Sequence, residues 1–530
     1  MKNRFLTLAA LGAVMLGVVT SCKKDDFDVV YQWQERIVFA DETEAEGVTF
    51  KAAKSWTSSI RWHNGEYDWQ DLSPDWISIS PAHGAAGKHT IKISLTKNTK
   101  PVGQREAIIT FNNGTSLFEI YIAQAPETKD GKAYPTALLV NRTAITIATG
   151  YEQTLLAEVE PENAISKVLN WNSSNTAVAT VNDGKVTALS PGIATITATT
   201  IEDVKKAEWK VTVKAPSQLG DGEWYAYQTH TAGAGIDLVF MGDGYTADEI
   251  TSWKYGSDME AAIEALFEIQ PYKTYRKYFN AYIVGAVSAE SGIGDGISRN
   301  TRFSSFYRAE WGYFSANNPL CITYAQKAPL NDIDNGVVTL MVNSNINVGN
   351  AWFYFHEKCG FTICTANSIR MKTIVQHEIG GHGFAKLADE YTDYYQTNQA
   401  TSIEQADIQL QQRDYGWWLN VDVDNDPTTV LWKDLLGYDG ADIFEGGHNF
   451  SRGVWRSSET SIMRSAFSAP YFNAVSRFLI VKRIKELADE PFSLEWFKAN
   501  DIIEPYTPTK SSAGVKSART VIHHPPIILR

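Results

Sequence analysis

Cysteine is scarce, with four in 530 residues and no paired C-x-x-C spacing, which excludes a disulfide scaffold and a structural four-cysteine zinc site. Net positive charge is also lacking: 48 Lys+Arg stand against 61 Asp+Glu, a formal charge of −13. That sign opposes the basic footprint needed to grip phosphates, so nucleic acid is not expected as a partner. Beyond the N-terminus, no stretch reaches the roughly 18 unbroken apolar residues of a spanning helix. What is present is ample apolar material: 44% hydrophobic against 21% charged residues describes a globular chain. A length of 530 residues favours three or four domains over one.

The chain opens with Lys2 and Arg4, an apolar run over 5–19, and then Thr20-Ser21 directly before Cys22. This layout reads as a secretory signal, too short and wrongly flanked for a stable membrane span. Val19-Thr20-Ser21-Cys22 resembles a bacterial lipobox. The resemblance implies a signal peptide over 1–21 and a lipidated Cys22, with the lipid as the only membrane anchor. Loss of Lys2 and Arg4 would leave 46 basic against 61 acidic residues, a mature charge of −15. The following Lys23-Lys24-Asp25-Asp26 resembles the export tag of Bacteroidetes surface lipoproteins. The expected location is therefore the outer membrane, displayed at the cell surface, with a periplasm-facing lipoprotein as the alternative.

After a linker over 22–44, the pattern to about 215 has period two, with short apolar alternations broken by Gly, Asn and Pro turns. Two all-β sandwich modules are expected. The first, 45–127, carries Ser55-Trp56, Trp76-Ile77-Ser78-Ile79-Ser80-Pro81, Asn98, Arg105 and Ile122-Ala123-Gln124, and resembles the BACON module. That resemblance implies possible glycan or mucin binding, whereas an aromatic in a sandwich normally serves the core, which makes the module a spacer. The second, 134–214, carries Glu158-Val159-Glu160-Pro161, Trp171-Asn172-Ser173-Ser174-Asn175 and Gly192-Ile193-Ala194-Thr195-Ile196. It resembles the group-two bacterial immunoglobulin-like domain, which implies a sandwich that presents other domains.

Past Ala215-Pro216-Ser217 the texture changes. Residues 248–278 read as helix, and the apolar runs 237–241 and 336–342 read as buried strands, so 220–505 is expected to be an α/β or α+β domain. The tail 506–530 reads as a loose end. Within the domain stands Val375-Gln376-His377-Glu378-Ile379-Gly380-Gly381-His382-Gly383-Phe384. The familiar zinc-peptidase spacing is H-E-x-x-H, two imidazoles one helical turn apart with a glutamate for general-base work. Here the second histidine is at i+5, about 140° from the first on a regular α-helix, which would aim the rings apart. A π-bulge absorbs one extra residue, and Gly380-Gly381 supplies the backbone freedom for it.

From His382 onward, Phe384, Leu387, Asp389, Glu390 and Tyr391 resemble the motif of the metallopeptidases named after the IgA peptidase, with one glycine added between Glu378 and His382. Gly242-Asp243-Gly244-Tyr245, Pro271-Tyr272, Phe279-Asn280, Glu290-Ser291-Gly292, Glu445-Gly446, Gly453, Arg456 and Met463-Arg464 continue the resemblance over about 220–480. It implies a zincin-like domain with a Zn²⁺ cofactor and a protein or glycoprotein substrate. His377 and His382 supply two ligands. Asp389 is the expected third, brought back by a turn that Gly383 starts, with Glu390, Glu445 and His448 as alternatives on ligand chemistry. Glu378 is the expected general base. Tyr391, His448 and Arg464 are candidates to steady the transition state, and Met463 is a candidate for a turn beneath the metal.

Asp422-Val423-Asp424-Asn425-Asp426 reads as an exposed acidic turn, since Pro427 and Lys433 stand where an EF-hand needs glycine and a bidentate acid. Cys359 and Cys364 are either a pair or buried free thiols. The expected function is a zinc-dependent endopeptidase at the bacterial surface. The alternative is a non-catalytic lipoprotein that binds surface glycan or host protein through a degenerate peptidase fold.

Overall fold

The computed structural model describes residues 27–30, 35–38, 44–63, 74–98, 105–114, 117–124, 128–129, 132–133, 135–162, 164–201, 205–354, 359–392, 399–465, 469–504 and 527–529. The expected signal peptide and Cys22 lie outside them. No helix among the described residues is long and apolar enough to cross a membrane.

The N-terminal part is all β. Glu44–Ala52, Gly87–Leu95 and Ile77–Ser80 form one sheet with Phe27–Val30 at its edge, and Leu117–Gln124, Arg105–Asn112 and Trp56–His63 form the centre of the facing one. Two strands, Phe27–Val30 and Glu35–Val38, fall within the stretch expected as linker and pair into these sheets. Alternation along Gly87–Leu95 sends Ile91, Ile93 and Leu95 inward, where they meet Trp56, Trp76, Phe50 and Phe111. Trp56 and Trp76 are thus core residues, 1% and 3% exposed. The second sandwich sets Ala144–Ala148, Lys206–Lys214, Gly192–Thr200 and Leu169–Ser173 against a smaller sheet of Glu152–Thr154, Lys185–Ala188 and Ala179–Asn182. Its core is separate and centres on Trp209, on which Trp171 stacks at 5.4 Å.

The C-terminal region is mixed α/β. Its seven-stranded sheet runs Trp224–Gln228, Phe279–Val284, Ile236–Asp243, Val337–Val342, Gly360–Thr365, Gly349–Tyr354 and Ile527–Leu529. The four strands from Phe279–Val284 to Gly360–Thr365 are parallel and buried along their whole length. Burial on both sides is what a sheet covered by helices on each face requires, and it explains the unbroken apolar runs. Lys254–Phe267 and Ala474–Leu487 contribute to the core on one face, and Asn318–Ala325 to that on the other. Ile527–Leu529, inside the stretch expected as a loose end, pairs in parallel with Trp352–Tyr354.

The helix expected over 248–278 is broken. Ala247–Thr251 begins with a Thr246/Glu249 capping box, and Trp253 then adopts a left-handed conformation (φ 70°) before Lys254–Phe267 starts. The indole explains the break: its Nε1–H donates to Ala215 O at 2.9 Å, and Lys214 Nζ lies 4.8 Å from the ring centre. The helix gives way so that Trp253 can hold the segment arriving from the second sandwich. Cys321 and Cys364 are buried free thiols, and Cys359 is buried as well.

Candidate metal centre

Strand Gly360–Thr365 ends in a turn over 366–370, from which Met371–Val375 continues as an α-helix and Gln376–Phe384 as a π-helix. In a π-helix the backbone bond reaches i+5, so a histidine at that spacing occupies the place that i+4 holds in an α-helix. The two imidazoles accordingly converge, with Nε2 atoms 3.1 Å apart. Gly381 is required by what lies beneath it, since a Cβ there would come 2.2 Å from Met463 Sδ.

The helix does not stop where the glycine pattern suggested. The left-handed residue is Lys386 (φ 56°), and Leu387 N reaches back to Gly381 O at 3.0 Å. Gly383 instead serves close packing: a Cβ there would come 2.9 Å from Thr362 Cγ2 and 3.0 Å from Val337 Cγ1. The chain past Lys386 is then clamped on both sides of Asp389. Asn420 bonds the amide (2.7 Å) and the carbonyl (2.9 Å) of Ala388, and Glu390 N donates to Met463 O at 2.8 Å. Asp389 Oδ1 is thereby set 3.1 Å from His377 Nε2 and 3.3 Å from His382 Nε2.

The three ligand atoms have the disposition of a cation site. Each histidine presents Nδ1 to a backbone carbonyl, Ile462 O at 3.0 Å for His377 and Leu387 O at 2.7 Å for His382. Nδ1–H is the donor in each pair, so both Nε2 lone pairs face the carboxylate. Two lone pairs and a carboxylate repel one another unless a cation lies between them. A tetrahedral ion with bonds of about 2.0–2.1 Å sets its ligand atoms about 3.3 Å apart, close to the spacings found. Neither oxygen of Asp389 accepts from a backbone amide.

Electrostatics reinforce this picture, and all four side chains, those of His377, Glu378, His382 and Asp389, are at most 1% exposed. Burial alone would lower the His377 pKa, but Asp389, Glu378 and the Ile462 carbonyl outweigh it and hold it at about 9, so that without a metal a proton on Nε2 takes the place of the cation between the ring and the carboxylate. Burial alone would raise Asp389, but His382 and His377 keep it well below the usual carboxylate range. Glu378 packs over strand Gly349–Tyr354 at Gly349, where a Cβ would come 2.6 Å from its Cγ.

The other candidates divide. Glu390 is turned away from the cluster and held by Ser461 Oγ, by Asn420 Nδ2 (3.1 Å) and by Asn473 Nδ2 (2.9 and 3.1 Å). Burial raises its pKa, and these three donors offset part of the rise. The Tyr391 hydroxyl pKa is pushed well up by burial and by the nearby Asp389 carboxylate. His448 N donates to Asp389 O at 2.7 Å, and its ring packs on Trp418. Its backbone is left-handed (φ 50°), and burial lowers its pKa to about 4. Glu445 is exposed and accepts from Gly453 N at 3.3 Å, away from the cluster. Arg464 donates to Glu459 O, also away from it. Met463 is buried in a turn whose neighbour, Ile462, receives His377 Nδ1. Asn420 and Ser461 were not singled out in the sequence, because a single Asn or Ser 30 or more residues from a motif gives no periodic or spacing signal.

Residues 227–442 match the model of the family described as IgA Peptidase M64, residues 136–212 that of the bacterial Ig-like domain (group 2), and residues 66–125 that of BACON, a putative N-terminal binding domain. Two curated relatives match over short stretches. One is an alpha-L-arabinofuranosidase of Bifidobacterium longum subsp. longum, 42% identical over 86 residues, or 15% of this chain and 8% of the relative. The other is an uncharacterized protein of Clostridium acetobutylicum, 35% identical over 94 residues, or 18% and 9%. The chain spans less than a tenth of either. Among solved structures, a Bacteroides ovatus GH5 xyloglucanase complex is similar at 14% identity over 24% of this chain and 27% of that one, with TM-score 0.16. A Bacteroides thetaiotaomicron protein solved by NMR is similar at 14% over 20% and 91%, with TM-score 0.15. The converging His377, His382 and Asp389 all lie inside the first of these matches, which follows the stretches matched by the BACON and group 2 Ig-like models in chain order.

Proposed function

We propose that the C-terminal domain is a zinc-dependent endopeptidase, with His377, His382 and Asp389 as metal ligands and Glu378 as general base. The observation that carries this reading is the convergence of two Nε2 atoms and one carboxylate oxygen to within 3.1–3.3 Å, with both Nδ1 atoms bonded to backbone carbonyls. A zinc ion held there would polarise the scissile carbonyl and lower the pKa of a bound water. Glu378 takes a proton from the attacking water and delivers it to the leaving amine. Burial strengthens every charge in the site and excludes competing solvent. His448, neutral at physiological pH, and Tyr391 face Asp389 and are placed to donate to a developing oxyanion.

The secretory layout and the Cys22 lipobox support a surface lipoprotein whose substrate is a protein or glycoprotein. A glycan site on the first module would use residues other than Trp56 and Trp76, which its core consumes. The test is zinc content and hydrolysis of a peptide library by the chain and by Glu378→Gln. We expect about one zinc in both and a rate loss of roughly 10²–10⁴ in the variant. Zinc uptake without hydrolysis by the parent would favour the binding-protein alternative.

A further inference from the structure

The second sandwich and the C-terminal domain have separate apolar cores, and a cavity of about 770 Å³ opens between them, lined by Val140 on one side and by Arg370 and Tyr471 on the other. Apolar packing therefore does not weld them together. Buried polar bridges do. Arg142, in the turn before Ala144–Ala148, places Nη1 2.5 Å from Asp258 Oδ1 and donates from Nη2 to Ala366 O at 3.0 Å. Its side chain is 7% exposed and that of Asp258 is fully buried. Thr146 N donates to Ser257 Oγ at 3.1 Å and Ala148 N to Ser252 O at 3.0 Å, so the open edge of this strand is covered by the neighbouring domain. A second ion pair joins Glu160 to Arg370 at 3.2 Å.

These bridges meet the C-terminal domain at its most sensitive point. Ala366 is the first residue after strand Gly360–Thr365, and Arg370 caps the helix that carries His377 and Glu378. The two contacts therefore straddle the turn that sets the bearing of the motif helix. Asp258 belongs to Lys254–Phe267, whose Ala265 carbonyl accepts from Gln376 beside His377 at 2.8 Å. The seven residues from Arg370 to His377 span about 10 Å, so a tilt of about 10° at the turn moves the imidazole by about 2 Å. A metal or catalytic constellation tolerates about 0.5 Å.

We propose that the Ig-like module is a structural part of the metal centre, with Arg142 and Glu160 as positioning residues that fix the 366–370 turn and hence the aim of the motif helix. The inference rests on the metal reading above. It goes beyond that reading by giving the module a task other than presentation.

The test uses the full chain, with Arg142→Met, Arg142→Lys and Glu160→Gln, and with Glu152→Gln on the outer face of the same module as control. Amide exchange is followed in excess chelator, so that metal loss cannot itself cause the change, and Zn²⁺ affinity is measured by chelator competition. For Arg142→Met we expect protection of amides 366–376 to fall at least tenfold while the sandwich strands keep theirs. Zinc affinity should fall at least tenfold in the same variant. Arg142→Lys should recover part of both, and Glu160→Gln should lower both by about threefold. If Arg142→Met fails to fold, the other two variants carry the test. Unchanged exchange at 366–376 overturns the proposal, as does lost protection with zinc affinity intact. A parent chain that takes up no zinc is a separate failure, that of the metal reading; it is seen before any variant is made and takes this inference with it.

Discussion

In the first β module Trp56, Phe50, Phe111 and Phe118 pack ring against ring inside their own sandwich, whereas in the second Arg142, Thr146, Ala148 and Glu160 bond residues of the domain that follows. Both are two-sheet sandwiches with a buried tryptophan. They differ at one edge: Ala144–Ala148 pairs with Lys206–Lys214 on one side and meets the C-terminal domain on the other. An unpaired strand edge needs covering, and here the cover is the body whose metal site it can steady. Architecture therefore does not decide whether a module is a spacer or a component. The polar groups at its rim do.

The largest expected effect lies in the first module and should stay there. Trp56→Ala empties a site between Phe50, His89 and Phe111 and should cost about 3–5 kcal/mol of that module's stability. Zinc content and the melting of the C-terminal domain should not change, as read by exchange-resolved unfolding. A loss of zinc in this variant would break the contrast between the modules.

Next comes Arg142→Met, which strips a partner from a fully buried carboxylate and should cost about 3 kcal/mol. The loss should appear in the C-terminal domain, around 366–376, while the strands of the second sandwich keep their protection. It also has a defined pH dependence. Burial alone would raise Asp258, but Lys254 and Arg142 hold it below its ordinary value of 3.8. A depressed folded-state pKa contributes stability that is present above the unfolded value and is lost as pH falls through the folded one. The difference between parent and Arg142→Met, followed by urea unfolding, should therefore be full near neutrality and shrink below about pH 4. A difference that persists undiminished in acid would mean that the ion pair is not its source.

Gly381→Ala provides the matching lesion inside the C-terminal domain. The added methyl meets Met463 Sδ at 2.2 Å and should cost about 1–3 kcal/mol by overpacking. Because the Met463 turn holds His377 through the Ile462 carbonyl, zinc affinity should fall while the Arg142 bridge stays intact. Exchange at 366–370 separates the two variants: raised in Arg142→Met and unchanged in Gly381→Ala.

What could be read in the sequence was what is local. A histidine at i+5 with two glycines between demands an altered helix, because 3.6 residues per turn cannot bring both rings to one ion. Alternation and unbroken apolar runs marked the sandwiches and the parallel sheet for the same reason: strand periodicity reports burial directly. The return of the chain was less legible. Gly383 looked like the helix stop because glycine tolerates positive φ, yet Lys386 takes that conformation, its side chain buried with its ammonium 5.0 Å from the centre of the Phe353 ring. The break at Trp253 was equally hidden, since its cause is a carbonyl 38 residues earlier. Asn420, Ser461 and Arg142 act across 30 to more than 200 residues through one to three hydrogen bonds each, and no spacing rule encodes such pairs.

The smallest expected effect tests whether the second module acts through specific groups or merely by being present. The Tyr151 hydroxyl donates to Asp248 Oδ1 at 3.3 Å across the same junction, but in solvent. Water replaces such a bond at little cost, so Tyr151→Phe should leave the melting curve, exchange at 366–376 and zinc affinity where they are in the parent chain. Arg142, by contrast, has no water to turn to, and its loss leaves Asp258 and the Ala366 carbonyl each short of a donor. If Tyr151→Phe weakened zinc binding as much as Arg142→Met, the junction would be acting diffusely through its whole contact, and assigning the aim of the motif helix to two buried ion pairs would be wrong. If only the buried bridges matter, the first module can be exchanged for another of equal length while the second cannot.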